Sequence, residues 1–222
     1  MKKGSSLLEA MLSLFLGSFI LIAGNNFLSN VKITGKKTEK LSEQIAEKSI
    51  SLFQLTSILK SAGEGIPYEL GVELSDGRLI IRKSIASYEL LNEAKKGEQG
   101  ISVECAVCKK GKRVLIKSNI YTILEKGSNY IVLDNPLYES FPEGEEIKVL
   151  KEYVFSSDSS GIYMKIDRGY FQLISKEYFD VKFKMFTETV VKLEGKEREG
   201  KRVKDFEYYV YLPYISVNGG VK

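Results

Sequence analysis

The sequence predicts an α+β protein: a long N-terminal helix, transmembrane in its first half and amphipathic in its second, packed on a mainly antiparallel, β-rich head. Three observations carry this reading. Residues 5–24 form a mostly apolar run. Apolar residues then recur at helical spacing as far as Leu59, ahead of Gly63, Gly65 and Pro67. Beyond them, short alternating apolar and polar runs are separated by glycine-, serine- and charge-rich turns. The 222 residues therefore divide into 1–4, a short basic start; 5–24, an apolar helix; 25–62, an amphipathic helix; and 63–222, the head.

Ser5 to Gly24 is long enough, at 1.5 Å per residue, to cross a bilayer core of roughly 30 Å. Glu9 sits near its start, and a charge at such depth is costly unless it is paired or near the interface. Farther on, Leu41, Ile45, Leu52, Leu55 and Leu59 make one stripe, widened by Ile50, Phe53 and Ile58. Glu39, Glu43 and Glu47 recur every fourth residue on another face. This pattern describes an amphipathic helix with one face against a partner. Gly24, Asn25, Asn26 and Gly35 are weak helix formers, so a bend or loosened turns is expected between the two halves. The helix should end near Ala62, because two glycines and a proline follow. A continuous helix from Ser5 to Ala62 would be roughly 87 Å long, which suits a filament shaft or coiled coil rather than a globular core.

The head should build from short strands. Ile101–Val107, Arg113–Lys117 and Ile120–Leu124 are strand-like, and Tyr121–Leu124 with Asn129–Leu133 reads as a hairpin. Ile147–Phe155, Gly161–Ile166 and Tyr170–Ile174 form a second meander, with turns over Ser156–Ser160 and Asp167–Gly169. Phe179, Val181, Phe183 and Met185 alternate with polar residues, as do Phe206, Tyr208, Val210 and Leu212. Leu193–Arg202 carries two glycines and seven charged residues, so a solvated hairpin tip is expected there. About 160 residues can bury a self-sufficient core.

Composition excludes several chemistries. The chain has no histidine. That removes Ser-His-Asp and Cys-His catalysis and every zinc site that needs imidazole. Tryptophan is absent too, while 13 Tyr and 11 Phe suit β-structure. With 43% hydrophobic and 28% charged residues, the chain is neither disordered nor polytopic. A net charge of +4 does not by itself argue for nucleic acid.

Three readings of the N-terminus compete: a cleaved secretory signal with a cut near Ala23, an uncleaved anchor, and a third that accounts for Glu9. Gly4 followed by an apolar run, with Glu9 as the fifth residue after it, resembles the type IV prepilin leader. That resemblance implies cleavage between Gly4 and Ser5 by a membrane peptidase, N-methylation of Ser5, and a register role for Glu9 in a filament. Ser5 stands where the family usually has Phe or Met. The physics is coherent: the new amine on one subunit can pair with Glu9 of its neighbour, compensating a charge that is otherwise costly to bury. The first helical turns also favour an anion. The segments Leu55–Gly63, Leu133–Leu137, Phe141–Glu145, Val149–Phe155, Gly161–Met164, Phe171–Ile174 and Phe179–Phe183 are in an order similar to that of PilW-like minor pilins and J-type minor pseudopilins.

Other candidates are weaker. Cys105-Ala106-Val107-Cys108 can be a local disulfide, a free thiol pair, or a redox or metal half-site, and no further Cys or His completes a zinc set. In an oxidising exterior the disulfide is the plainest reading. Lys109, Lys110, Lys112 and Arg113 form a basic turn that could contact an anion such as DNA phosphate, against the alternative of a solvated turn. Tyr208, Tyr209, Tyr211 and Tyr214 could be a glycan or partner surface, or simply strand packing. No calcium-loop spacing and no phosphate-binding glycine loop is present.

The resemblance implies a structural minor pilin or pseudopilin of a type IV pilus or type II secretion machine, not an enzyme, and with no cofactor. Its partners would be other pilins or pseudopilins, the prepilin peptidase, the inner-membrane assembly platform and, before assembly, membrane lipid. It would be single-pass in the inner membrane with its head outside the cytoplasm, then periplasmic or on the cell surface. The alternative is a membrane-anchored or secreted binding module with an ordinary signal sequence. An Asp/Glu-based hydrolase is a third class, without a convergent motif to support it.

Overall fold

The computed structural model describes residues 3–199 and 202–214, apart from the side chains of residues 3–10 and 68. The chain forms two compact units, residues 1–46 and 47–222.

Helix α1 runs from Lys3 to Lys60 without interruption and so contributes to both units. The α-helix continues through Gly24, Asn25, Asn26 and Gly35, where loosened turns were expected. A glycine costs only about 1 kcal/mol against alanine, which the cooperative ladder on either side absorbs. In the first unit Met11, Phe15, Ile20 and Phe27 are all exposed. This stretch is long and apolar enough to cross a membrane.

The second unit takes the last turns of α1 into its core. Leu55 and Leu59 are buried there, and Ser51 donates its hydroxyl to the Ile174 carbonyl at 2.7 Å. The helix ends by tightening: the amides of Ser61 and Ala62 donate three residues back, to Ile58 and Leu59. The Gly63 amide then donates to the Arg82 carbonyl, which hands the chain to the sheet. A single turn, α2 (Tyr68–Gly71), follows.

The larger sheet has nine strands: β1 (Val72–Ser75), β2 (Arg78–Glu89), β3 (Gly100–Ser102), β4 (Arg113–Ile116), β5 (Asn119–Lys126), β6 (Tyr130–Leu133), β7 (Glu146–Asp158), β8 (Gly161–Ile166) and β9 (Gln172–Ser175). Their order is β1-β2-β7-β4-β5-β6-β3; β8 also pairs with β7, and β9 with β8. Every pair is antiparallel. Strand β7 is the spine. One edge pairs with β2, and the other is shared between β4 at its start and β8 at its end. It is buried almost throughout from Ile147 to Phe155, as a strand covered on both faces should be. A smaller sheet is a meander of β10 (Tyr178–Thr187), β11 (Val190–Glu199) and β12 (Arg202–Tyr211).

Two main cores result. One gathers Leu55, Leu59 and Ala62 with Ile81, Phe155, Val181, Leu193 and Val210, so the end of α1 is packed with residues of both sheets. The other lies around β3–β7 and contains Tyr121, Ile131, Phe141, Val149 and both cysteines.

Two segments differ from the sequence reading. Leu193–Arg202 is not a solvated tip: β11 runs through it to Glu199 and pairs with both β10 and β12. Leu193 is buried while Lys196 is exposed, and the density of charge hid this alternation. Gly195 permits the close approach, since a Cβ there would lie 2.9 Å from the Val181 Cα. The strand expected over Ile101–Val107 stops at Ser102, because the following residues turn into the cysteine loop.

Candidate functional site

Gly4, Ser5 and Glu9 lie in the first turns of α1, and their side chains fall outside the described residues. Beyond them the apolar surface continues. Leu41 and Ile45 in the first unit, and Ile50 and Phe53 in the second, are more than half exposed. Of the stripe expected to meet a partner, only Leu55 and Leu59 are fully buried by the head.

Cys105 and Cys108 are joined in a disulfide with their Cα atoms 5.5 Å apart. Both are almost fully buried in the second core, and the Cys108 amide donates to the Cys105 Sγ at 3.1 Å. The bridge therefore pins the loop that leads from β3 into β4. Among the described residues no group of three or more Cys, Asp and Glu side chains is placed to hold a metal ion.

The basic cluster that leaves this loop is divided. Lys109 and Lys110 are exposed. Lys112 pairs with Asp167 at 3.1 Å, and Arg113 with Glu152 at 2.7 Å. Two of the four charges are thus bound to internal carboxylates, which lowers what the cluster can offer to an outside anion.

Glu152 is the centre of an ion network that the sequence does not announce. It stands directly opposite Arg82 across the β2–β7 pair. The Arg82 Nε donates to its Oε2 at 2.8 Å, and the other end of Arg82 reaches Glu73 at 2.6 Å. Side chains of Arg82 and Glu152 are 6% and 8% exposed, so each needs the other. Asp167, in the turn after β8, accepts from the Glu152 amide at 3.0 Å while holding Lys112. Five parts of the chain are tied together at one point.

The outer face of the small sheet is a ladder of charge. Lys184 and Lys192 both bond Glu194, and Lys192 also bonds Glu207. These hydrogen bonds, from Lys184 first and Lys192 second, hold the Glu194 carboxyl below its usual range; Lys192 first and Tyr209 second do the same for Glu207. The tyrosines of β12 belong partly to this face: Tyr209 packs edge-on against Phe186 at 5.2 Å. Tyr208, Tyr209, Tyr211 and Tyr214 all keep about half of their surface in solvent.

No protein-family model, curated protein or solved structure matches this chain.

Sequence reasoning missed Arg82, Glu152 and Asp167. Their signal was faint: Arg82 follows the apolar run Leu79-Ile80-Ile81 with Lys83 beside it, and Glu152 follows Lys151 within Ile147–Phe155. A buried charge needs a partner, but the neighbouring lysines, Lys83 and Lys151, hide which charge in each strand is the buried one.

Proposed function

We propose that this protein is a structural subunit of the type IV pilin class, a minor pilin or pseudopilin, which acts by assembly and not by catalysis. The observation that carries the reading is the continuity of α1. One helix presents an exposed apolar surface long enough for a membrane and ends as a core element of a folded head. A helix of that kind links a membrane or filament core to the head. Gly4 and Glu9 supply the rest: a cleavage point, and a carboxylate to meet a neighbour's amine. In this scheme the apolar residues Leu7 to Ile22 leave lipid for the surfaces of neighbouring subunits. Glu9 sets the register between them, because an unpaired carboxylate in an apolar bundle is costly. The prepilin peptidase and the inner-membrane assembly platform are the partners of the precursor. Other pilins or pseudopilins are the partners of the mature chain, in the periplasm or at the cell surface.

Intact-mass and N-terminal analysis of the protein from its native membrane tests this. A mature chain that begins at Ser5, with the amine methylated, is the expected result. A start near Asn25 would instead identify an ordinary secretory signal and overturn the assignment. In the same cells, Glu9→Val should leave cleavage intact and remove the protein from sheared filaments.

A further inference from the structure

The ion network around Glu152 borders an open pocket of about 210 Å3. Its walls come from β4 and Gly111 ahead of it, β5, β7, β8 and the turn after β8, and it is smaller than the roughly 300 Å3 at which drug-sized ligands begin to fit. Three cations line it: Arg113, Lys165 and Arg168. Thr122 adds a hydroxyl to the lining.

The two carboxylates in the lining are already satisfied. Glu152 is held by Arg82 and Arg113, and Asp167 by Lys112. Among the described residues no ion pair engages Lys165 or Arg168. Lys165 rests over the Phe171 ring at 5.6 Å. Arg168 is placed by Gly111: a Cβ at that glycine would fall 2.5 Å from the Arg168 Cδ, so the arginine stem lies directly on the bare backbone. The lining itself sets three cations, Arg113, Lys165 and Arg168, against two carboxylates, Glu152 and Asp167, an excess of one positive charge.

We propose that this pocket is a binding site for a single phosphate group, held by Lys165, Arg168 and the outward edge of Arg113. The positive excess, with two cations held in no ion pair among the described residues, favours an anion such as phosphate, which carries roughly −1.5 to −2 near neutral pH. An arginine fork and a lysine point charge are the side chains best suited to phosphate oxygens. The buried Arg82–Glu152 pair is the floor that keeps Arg113 in place. The site is distinct from the exposed Lys109 and Lys110, and it does not depend on the assembly role proposed above.

The test uses the full-length chain in a neutral detergent, titrated at constant ionic strength with inorganic phosphate and followed by calorimetry. Saturable binding to one site per chain is expected. Lys165→Gln combined with Arg168→Gln should weaken it by about tenfold or more. Lys109→Gln combined with Lys110→Gln should leave it unchanged. Gly111→Ala should also weaken it, by displacing Arg168. Circular dichroism melts without phosphate check that each variant is folded. Absence of saturable binding, equal binding by the Lys165/Arg168 variant, or equal loss in the Lys109/Lys110 variant would each overturn the proposal. A parallel titration with glycerol phosphate separates the sources. Binding of inorganic phosphate alone identifies the free ion, and binding of both identifies a phosphomonoester on a larger molecule; either result upholds the site.

Discussion

Glu152 shows what one buried charge does in this fold. It faces Arg82 across β2 and β7, with Arg113 on its other side. Replacing it leaves Arg82 almost fully enclosed with only Glu73 to compensate it. Breaking a buried pair in this way costs about 3 kcal/mol or more, because the orphaned charge stays desolvated. Glu152→Gln should therefore lower the stability of the head by about that amount in urea unfolding. Arg113→Gln should cost less, since Arg113 is 39% exposed and water can replace it. An unchanged midpoint for Glu152→Gln would show that the network does not support the fold. Neither Arg82 nor Glu152 was legible as part of a site. They lie 70 positions apart, and only the antiparallel register sets them face to face.

At the scale of elements, the small sheet pairs a buried apolar face with an outer ladder of Lys and Glu. The ladder has a pH dependence whose sign follows from the lowered carboxyls of Glu194 and Glu207. A carboxyl with a depressed folded value contributes stability above its ordinary range and loses it as pH falls through the folded value. The β10–β12 sheet should thus loosen in acid, below the ordinary carboxylate range, be indifferent to pH from there to the lysine range, and loosen again in strong alkali, because Glu207 and Glu194 raise Lys192. Lys192→Met tests the cause. Carboxyl NMR titration should show the Glu207 midpoint rising toward its ordinary value and that of Glu194 rising less, because Lys184 still bonds Glu194. Equal or absent shifts would remove Lys192 as the centre of the ladder. The alternation in β10 and β12 was readable because apolar and polar residues differ strongly there. That of β11 was not, because glycine and dense charge masked the two apolar anchors, Val191 and Leu193.

For the whole molecule, the boundary between the units falls inside α1, between Ala46 and Glu47, and not at the end of the helix. Leu55, Leu59 and Ala62 belong to the core of the head. A fragment beginning at Glu47 should fold cooperatively. One beginning at Gly63 forfeits roughly 1.5–3 kcal/mol for each lost leucine and leaves an apolar face uncovered. Thermal melts by circular dichroism should show a single transition for the first and a broad or absent one for the second. A cooperative melt of the Gly63 fragment would show that the helix is only attached to the head and not part of its core.

The sequence alone determined the elements that depend on local periodicity: the apolar run, the long helix, its stop before Gly63, and the hairpins at β5–β6 and β7–β8. Those signals are carried by residues within a few positions of each other, where sterics and burial act directly. It also carried the Gly4–Glu9 spacing, from which the assembly reading starts. Tertiary structure alone decided which strands are neighbours, which helix face the head consumes, and which charges meet. Pairing Arg82 with Glu152, Lys112 with Asp167 and Arg168 with Gly111 requires strands far apart in the chain to lie side by side. Electrostatic partners are chosen by distance in space, and a one-residue slip in the β2–β7 register would have turned Glu152 to the face opposite Arg82.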